Sequence, residues 1–396
     1  MQGERTEAME LYIHIPFCVR KCNYCDFLSA PATGAEIDRY VSCLCREIRM
    51  SPEPDDVPIP AERVDTIFIG GGTPSLLTAS QLKKIMEVVR ENYEVAQDAE
   101  ITIECNPGTV DLDKLKAIKE LGINRLSIGL QATDNESLKC LGRIHDLNDF
   151  LETYANARKV GFDNINIDIM SAIPGQTVEA YRETLNKVIE LKPEHISAYS
   201  LIIEENTPFY DIYGEDGELN GHPSLPSEDD ERQMYYDTRE MLSEAGYHRY
   251  EISNYAREGY ECRHNNGYWT GRDYLGVGIG AASLIDGVRF SNVDSLKEYL
   301  AIYNPDRDYV EPYHVSIDKL SKSDREEEFM FLGLRRCEGV DRTDWMRRFG
   351  CDMDSVYGSV IAKLTEQGLL ESEVDRLRLT DKGIDVSNIV LANFLQ

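Results

Sequence analysis

Three cysteines near the start of the chain have the spacing of a metal-binding motif. Cys18, Cys22 and Cys25 form a CxxxCxxC pattern, and the next cysteine in the sequence is Cys43. Thiolates bind soft metals, and a structural zinc site requires four ligands in a closed tetrahedron. A [4Fe–4S] cluster held by only three thiolates keeps one iron atom open to a cofactor or a substrate. The triplet therefore predicts a reactive iron–sulfur cluster, with a zinc knuckle or three unrelated thiols as the alternatives.

The residues around the triplet resemble those of one enzyme superfamily. Tyr24 places an aromatic ring before the last cysteine, as in the radical S-adenosylmethionine (SAM) enzymes, and residues 14–18 read His-Ile-Pro-Phe-Cys. These flanking residues narrow the resemblance to the branch around oxygen-independent coproporphyrinogen III oxidase. The resemblance implies that the amino and carboxylate groups of SAM chelate the fourth iron of the cluster, and that an electron from the cluster cleaves SAM.

Apolar runs alternate with amphipathic segments over the first half of the chain. Runs of strand length occupy residues 11–15, 66–69, 100–105, 125–130, 164–170 and 196–202. Segments with helical periodicity lie between them at residues 79–92, 112–121, 147–160 and 178–191. Strand–helix units in succession predict parallel strands with helical crossovers. We therefore expect an α/β fold built on a partial, TIM-like (β/α)6 barrel, which the family resemblance also implies.

Polar residues and glycines fall at the predicted carboxyl ends of these strands. Residues 70–74, Gly-Gly-Gly-Thr-Pro, follow the second strand, and Glu104 and Asn106 end the third. Gln131 ends the fourth strand, and Asp168 lies late in the fifth. Active sites of barrels form at the carboxyl ends of the strands. We therefore expect these residues to converge on one rim of the barrel.

The resemblance implies which residues contact SAM. It places Gly71, Gly72 and Thr73 at the amino group of SAM, where a missing Cβ lets the backbone approach a ligand closely. It assigns Glu104 to the ribose hydroxyls, a role that acidic residues have in other nucleoside sites; a solvated loop acid is the alternative. The other residues that it assigns to the SAM pocket are Tyr12, Phe27, Gln131, Arg143 and Asp168.

A second motif lies far from the cysteines. Residues 264–269 read His-Asn-Asn-Gly-Tyr-Trp, an HNxxYW pattern. Imidazole is a common ligand of haem iron, and Tyr and Trp offer flat apolar faces to a porphyrin. The motif therefore suggests a haem site formed by His264, Asn265, Tyr268 and Trp269, whereas the alternative is a packed histidine beside a core tryptophan. Cys262 is a weaker candidate ligand, because it lacks the CxxCH spacing of covalent haem sites.

Two functions occur within the resembled branch. The oxidases decarboxylate two propionates of coproporphyrinogen III, whereas HemW-like proteins are haem chaperones. The oxidases carry a further cysteine where this chain has Phe27, and a longer extension before Tyr12, while HNxxYW is typical of the HemW branch. We therefore expect a HemW-like chaperone that binds haem and transfers it to acceptor proteins, and we assign no catalytic residue. The alternative is an oxygen-independent coproporphyrinogen III oxidase or another radical-SAM tetrapyrrole enzyme.

The composition limits the partners. Asp and Glu number 71 against 42 Lys and Arg, a net charge of −29, which disfavours nucleic acid because such binding needs clustered basic residues. The two propionates of haem require local positive charge, for which the candidates are Arg143, Arg249, Arg263 and Arg272. The resemblance adds an electron donor such as flavodoxin or ferredoxin if SAM is cleaved, and homodimerisation as a theme of the branch.

The chain shows no signal for export or membrane insertion. Its first residues lack the basic start and apolar run of a signal peptide, and no apolar stretch approaches the roughly eighteen residues of a membrane span. The ten cysteines are then ligands or buried thiols rather than disulfides. We therefore expect a cytoplasmic protein without a transmembrane segment.

Composition also divides the chain into three parts. Residues 1–230 form the expected barrel with the cluster and the SAM site, and they end in a polar surface loop at residues 211–230. Residues 231–323 are a connecting region that carries HNxxYW. Residues 324–396 have helical segments followed by a hairpin-like stretch, an order that resembles a winged helix. Because this tail has no basic stripe, we expect it to pack or cap rather than to bind nucleic acid.

Overall fold

Six parallel strands with intervening helices form the first part of the fold. The computed structural model describes residues 8–50, 63–306 and 314–395. Its first six strands are β1 (Met9–Ile15), β2 (Arg63–Gly71), β3 (Glu94–Cys105), β4 (Arg125–Gln131), β5 (Ile165–Ser171) and β6 (His195–Ser200). The first six helices are α1 (Gly34–Met50), α2 (Ala79–Asn92), α3 (Leu112–Glu120), α4 (Asn135–Cys140), α5 (Leu147–Val160) and α6 (Val178–Leu191). All six predicted strands and all four predicted helices are therefore confirmed.

The second part of the chain returns to the same sheet. Its elements are α7 (Pro208–Tyr213), α8 (Glu228–Glu244), β7 (His248–Glu251), β8 (Asn254–Ala256), α9 (Arg263–Thr270), β9 (Tyr274–Val277), β10 (Ala282–Ile285), β11 (Val288–Asn292), α10 (Leu296–Ile302) and β12 (His314–Lys319). The strand order is β12-β11-β10-β9-β1-β2-β3-β4-β5-β6-β8-β7 among the described residues. Strand β9 pairs in parallel with β1, and β8 pairs antiparallel with β6. The partial barrel is thus confirmed, and later strands extend both of its edges.

Capping residues explain why two of these helices begin at the predicted residues. Thr78 accepts a hydrogen bond from the backbone of Gln81, whose side chain accepts in turn from the backbone of Thr78, which is a capping box at the start of α2. Asp146 caps α5, and Gly161 ends it in the left-handed conformation at φ 94°. These signals are local in the sequence, so they are readable without the tertiary structure.

The surface loop predicted at residues 211–230 is shorter in the structure, because a helix extends into each of its ends. Thr207 caps α7 and Pro208 stands in its first turn, so the helix runs into the predicted loop as far as Tyr213. Ser227 caps α8, whose first turn is acidic, so this helix begins before residue 231. Between the cysteines and β2, where Cys43 and Cys45 were expected on a helix, the structure has α1 packed on α2.

The last part of the chain has its own apolar core. It comprises α11 (Lys322–Gly333), β13 (Val340–Asp341), α12 (Arg342–Phe349), α13 (Met353–Glu366), β14 (Leu370–Ser372), β15 (Arg376–Leu379), α14 (Asp381–Asp385) and α15 (Ser387–Ala392). The strands form a small sheet in the order β13-β15-β14. Trp345 and Phe394 lie fully buried among its apolar residues. The mainly helical, winged-helix-like C-terminal part is confirmed.

The predicted boundaries of the three parts stay a prediction. Residues 248–319 supply strands to the barrel sheet, so the expected connecting region lies within one sheet with the barrel. Residues 1–7, where we expected no signal peptide, lie outside the described residues, as do residues 51–62, 307–313 and 396. None of the helices in the described ranges combines the length and apolarity needed to cross a bilayer.

An ion pair with a buried carboxylate joins β7, at one edge of the barrel sheet, to the turn after α11. Arg335 donates from Nε and Nη2 to Oε1 of Glu251 at 3.1 and 2.7 Å. The Glu251 side chain is 1% exposed, whereas that of Arg335 is 36% exposed. Oε2 of Glu251 accepts from the Ser253 N–H and the Asn254 amide. The pair therefore connects the barrel and the C-terminal part through one desolvated carboxylate.

Removing the arginine should destabilise the protein. We expect Arg335→Ala to lower the free energy of unfolding by about 3 kcal/mol, because it leaves a buried carboxylate without its counter-charge. The control is Arg378→Ala, since Arg378 forms exposed pairs with Glu371 and Glu373 that contribute at most about 1 kcal/mol. Urea denaturation of both variants measures the difference. A loss in Arg335→Ala no larger than that in the control would contradict the prediction.

Candidate functional site

The three cysteines lie on a loop between β1 and α1, beside the carboxyl ends of the strands. The Cys18 N–H donates to the carbonyl of Ala30 at 3.1 Å, which closes the base of the loop. On its far side, the Asn23 N–H donates to the carbonyl of Leu141 at 3.0 Å, and the Asn23 amide donates to that of Cys140 at 2.8 Å. The loop is thus held from both sides, although its sequence has little regular structure.

The thiols of this loop fit an iron–sulfur cluster. Cys18, Cys22 and Cys25 are all free and half-buried. Thr73 Oγ1 donates to the Cys18 sulfur at 3.4 Å, and Arg143 Nη1 donates to the Cys22 sulfur at 3.7 Å. In the described residues no three Cys, His, Asp or Glu side chains converge as around one metal ion. A cluster does not need that convergence, because each of its thiolates binds a different iron atom, and hydrogen bonds to sulfur tune its potential.

Arg143 fastens the cysteine loop to the barrel. Besides its contact with Cys22, its Nη2 donates to Oδ1 of Asn106 at 2.6 Å and to the carbonyl of Gly129 at 2.9 Å. The amide of Asn106 donates to Thr73 Oγ1 at 2.7 Å. Arg143, Asn106, Thr73 and Cys22 line one narrow cleft. The predicted residues Thr73 and Arg143 therefore adjoin the cysteines directly.

The glycines after β2 are required by the protein's own packing. Gly71 has φ 114°, and a Cβ there would lie 2.6 Å from Cε1 of His14. A Cβ on Gly72 would lie 2.7 Å from the carbonyl oxygen of Phe17. We expected the missing Cβ atoms to admit a ligand; they also admit strand β1 and the start of the cysteine loop. The Gly71 N–H donates to Oε2 of Glu104 at 3.0 Å, which orients that carboxylate.

A cavity of about 230 Å³ opens inside the barrel below the cysteine loop. The predicted SAM residues that line it are Tyr12, Phe27, Gly71, Glu104 and Asp168. Phe27 is 67% exposed at the mouth of the cavity. Gln131 is buried at the end of β4 with φ 71°, and neither it nor Gly72 lines this cavity or the neighbouring cleft. Five of the nine predicted residues thus share one chamber, and Thr73 and Arg143 line the cleft beside the cysteines.

Two carboxylates, Glu104 and Asp168, line the chamber. Burial raises the pKa of Glu104 to about 8, the charge of Asp168 acts in the same direction, and the Gly71 N–H opposes both. Burial also raises the pKa of Asp168, which accepts hydrogen bonds from Asn166 at 2.7 Å and Ser127 at 3.2 Å. A chamber with aromatic walls and two such acceptors fits a nucleoside, whose ribose presents two hydroxyl donors.

Several residues of the chamber were missed in the sequence. They are Phe68, Arg125, Ser127, Asn166, Ser197 and Tyr199. Arg125 is 2% exposed at the start of β4. A lone arginine opening an otherwise apolar strand was a signal that could have been read, because fully buried arginines are rare without a partner or a function. The other five have the residue types of ordinary strand positions, so only the barrel geometry identifies them.

Helix α9, which carries HNxxYW, closes the opposite end of the chamber. Glu10, Thr66 and Glu100 are register partners across β1, β2 and β3. Glu100 lies four residues before Glu104 on the same face of β3, about 13 Å along the strand. The backbone N–H of His264 donates to Oε1 of Glu100 at 3.1 Å. Gly267 packs directly on the Glu10 side chain, so no larger residue fits there. The motif therefore forms the floor of the chamber whose roof carries the cysteines.

His264 has no free ring nitrogen in this arrangement. Its Nδ1 is hydrogen-bonded to Thr66 Oγ1 at 2.7 Å, and its Nε2 to the Tyr268 hydroxyl at 2.9 Å. Burial, with the charge of Arg125, lowers the pKa of His264 to about 3, so the ring is neutral. Asn265 and Tyr268 line the chamber beside it, whereas Trp269 lies in a separate groove. The four residues predicted to hold haem are thus divided between two surfaces.

Cys262 is engaged within the protein. Its side chain is fully buried, and its thiol donates to Oε1 of Glu100 at 3.5 Å. Burial raises the pKa of Cys262 to about 12, which keeps it protonated. The structure therefore gives this cysteine a packing role under the start of α9.

Known proteins resemble this chain over nearly its whole length. Residues 12–188 match the model of the radical SAM superfamily, and residues 320–386 match the HemN C-terminal domain. A protein of Lactococcus lactis named heme chaperone HemW is 36% identical over 384 residues, which cover 97% of this chain and 96% of that protein. The chain belongs to the HemW family. The HemW of Escherichia coli is 35% identical and covers 98% of both chains.

The family membership also fixes the coarse identity of the cofactors. The barrel of this HemW family member is a radical SAM domain, and such a domain implies a [4Fe–4S] cluster and SAM. Among solved structures, coproporphyrinogen III oxidase (HemN) of Escherichia coli superposes with a TM-score of 0.83 at 24% identity, covering 99% of this chain and 91% of its own. At that identity, the likeness confirms the predicted fold alone.

Proposed function

We propose that this chain is a haem chaperone, which binds haem and transfers it to acceptor proteins. The observation that carries the proposal is the full-length similarity to several proteins named heme chaperone HemW, at 36% identity in Lactococcus lactis and in Bacillus subtilis. Phe27 supports it, because the related oxidases have a further cysteine at that position. Cytoplasmic residence, homodimer formation and the acceptor proteins belong to the same proposal.

In this proposal the cysteine loop and the chamber hold the cofactors. Cys18, Cys22 and Cys25 ligate the [4Fe–4S] cluster, while Thr73 and Arg143 donate hydrogen bonds to two of their sulfurs. The chamber below would hold SAM, with Glu104 as the acceptor for its ribose hydroxyls and Tyr12 as part of the aromatic wall. When reduced by a donor such as flavodoxin or ferredoxin, the cluster supplies the electron for SAM cleavage.

Hydrogen bonds within the chain hold the walls of this chamber in place. Tyr12 is hydrogen-bonded to His14 Nδ1 at 3.0 Å, and His14 Nε2 to the carbonyl of Leu28 at 2.9 Å, which ties the strand to the cysteine loop. The exposed ring of Phe27 stands over the opening. To ligate haem iron, His264 must lose its hydrogen bond to Thr66 or to Tyr268. Haem ligation by His264 therefore stays a prediction.

Chaperone and oxidase differ in what happens to a tetrapyrrole. We expect the reconstituted protein to take up haem with a shifted Soret band and to pass it to a haem-free haemoprotein. With reductant and SAM, it should release no carbon dioxide from coproporphyrinogen III. Absorbance spectroscopy follows the transfer, and product analysis follows the decarboxylation. Stoichiometric decarboxylation would overturn the chaperone proposal in favour of the oxidase; absence of haem uptake would remove it altogether.

A further inference from the structure

A groove separate from the chamber lies between the barrel and the C-terminal part. It is bounded by the end of α9, the turn between β10 and β11, and helices α11 and α12. Its volume is about 630 Å³, well above that of the chamber. Trp269, the last residue of the HNxxYW motif, lies in its wall. Grooves between parts of a chain are common places for ligands.

The apolar part of the groove is aromatic. Trp269, Phe329 and Phe349 line it and are each half-buried, so part of every ring faces the opening. The rings of Phe329 and Phe349 stand edge to face with their centroids 5.7 Å apart. Leu284 and Leu332 extend this surface. Flat apolar faces of this kind pack well against a planar macrocycle.

The polar part of the groove carries an excess of arginine at two places. Arg336 and Arg376 both pair with Glu338, and Arg347 and Arg348 both pair with Asp344. Each of these two carboxylates is thus shared by two guanidinium groups. Guanidinium groups bind carboxylates through two parallel hydrogen bonds. Such clusters are notable in a chain of net charge −29.

Over the whole lining the charges balance, since six arginines stand against six carboxylates, so recognition of an anion depends on the local arrangement of the two clusters. Arg272 pairs with Asp65, and Glu328 pairs with Arg289. Asp341 accepts two backbone N–H groups as the cap of α12. The other charged lining residues are Asp273, Asp286 and Arg325. Oδ2 of Asp273 accepts the N–H of Asp286 across the turn.

We propose that this groove binds a planar tetrapyrrole dicarboxylate, with its ring against the three aromatic side chains and its two carboxylates on the two arginine clusters. The inference rests on the proposed function, in which that ligand is haem. None of the described residues that line the groove is His, Cys, Met or Tyr. Recognition therefore runs through the ring and the carboxylates and not through the iron, which suits a protein that must release its haem.

The test compares a metal-free ligand with haem. We expect the full-length protein to bind protoporphyrin IX and haem with similar dissociation constants, measured by titration of absorbance and tryptophan fluorescence. In Arg348→Ala/Arg376→Ala both constants should rise by about tenfold or more, because two charge-assisted contacts are lost. The matched control, Arg49→Ala/Arg378→Ala, removes two surface arginines that are ion-paired outside the groove. It should bind like the wild type.

Each contrary result has its own meaning. If the protein binds haem but not protoporphyrin IX, binding depends on the iron. That result would overturn the proposed groove site, since its lining offers no iron ligand. Normal binding by Arg348→Ala/Arg376→Ala would also overturn it while leaving the chaperone function standing. If wild-type protein binds neither ligand, the proposed function itself fails, and the groove with it. Circular dichroism of the two double-arginine variants checks that they fold.

Discussion

Replacing Cys22 with alanine is expected to abolish the iron–sulfur absorbance of the anaerobically reconstituted protein, as is replacing Cys18 or Cys25. A cluster held by three thiolates has no spare protein ligand, so the loss of one leaves two irons unbound. No substitute is at hand, because Cys43, Cys45 and Cys105 are fully buried in the barrel core. Thiolate is the ligand that iron–sulfur clusters require.

Cys140 provides the control for these three variants. It is half-buried and free like the ligands, and its carbonyl supports the cysteine loop through Asn23, but it lies outside the triplet. Cys140→Ala should therefore keep the full absorbance and iron content. A complete cluster in all three triplet variants would remove the ligand assignment, and colourless protein with one zinc per chain would replace it with the zinc alternative.

Exchange of Glu104 for glutamine should weaken SAM binding by roughly 100-fold. A carboxylate that accepts two ribose hydroxyls makes two charge-assisted hydrogen bonds, and each contributes about 1.5–3 kcal/mol. Glutamine keeps the size of the side chain but loses the charge and one acceptor. Calorimetric titration of the reconstituted protein with SAM measures the change. The control is Glu94→Gln, at the exposed opposite end of the same strand.

The same residue should give SAM binding a pH dependence. Glu104 has a pKa of about 8 in the folded protein without ligand, and the ribose hydroxyls favour its ionised form. Affinity should therefore rise with pH and level off above about pH 8, and this rise should vanish in Glu104→Gln. A wild-type affinity that is flat between about pH 6 and 8, or a variant that binds SAM normally, would contradict the ribose assignment.

Folding linkage at Glu104 has the opposite sign. Its folded pKa of about 8 lies above the ordinary value of 4.5, so the folded protein holds this proton more tightly than the unfolded chain does. The stability that this proton contributes is complete below about pH 4.5 and is lost as the pH rises through about 8. Ligand binding and folding therefore place contrary demands on one side chain, which is common where a buried group serves a site.

The first half of the fold was predictable because its signals are local. The strand β4 has seven buried residues in a row, and its length and flanking turns distinguish it from a helix. Thr78, Asp146 and Thr177 mark helix starts by hydrogen bonds that span three residues. The second half was harder, since β7 to β11 are short, and the strands that attach them to the barrel, β8 and β9, pair with β6 and β1 far away in the sequence. Pairing between distant strands leaves little signal in the sequence of either strand.

The HNxxYW motif illustrates how a helix divides a sequence pattern. His264 and Tyr268 stand four residues apart on α9, so they share a face and bond to each other. Trp269 follows Tyr268 by one residue and is rotated by about 100° around the helix, which directs it to the groove. As a string of letters the six residues suggest one haem site. The periodicity of the helix instead directs their side chains to two different surfaces, the chamber and the groove. Both ring nitrogens of the buried His264 are hydrogen-bonded within the protein.

The sequence by itself determined the cofactor chemistry of this protein and its family. The spacing of three thiols, the residues that flank them and the order of strands and helices are one-dimensional patterns, so no contact had to be known. Only the tertiary structure decided that Arg125 lies buried in the chamber, that the glycines make room for β1, and that arginines from α12 and β15 meet Trp269 in one groove. Those facts depend on which distant segments pack together, and packing is a property of the folded chain as a whole.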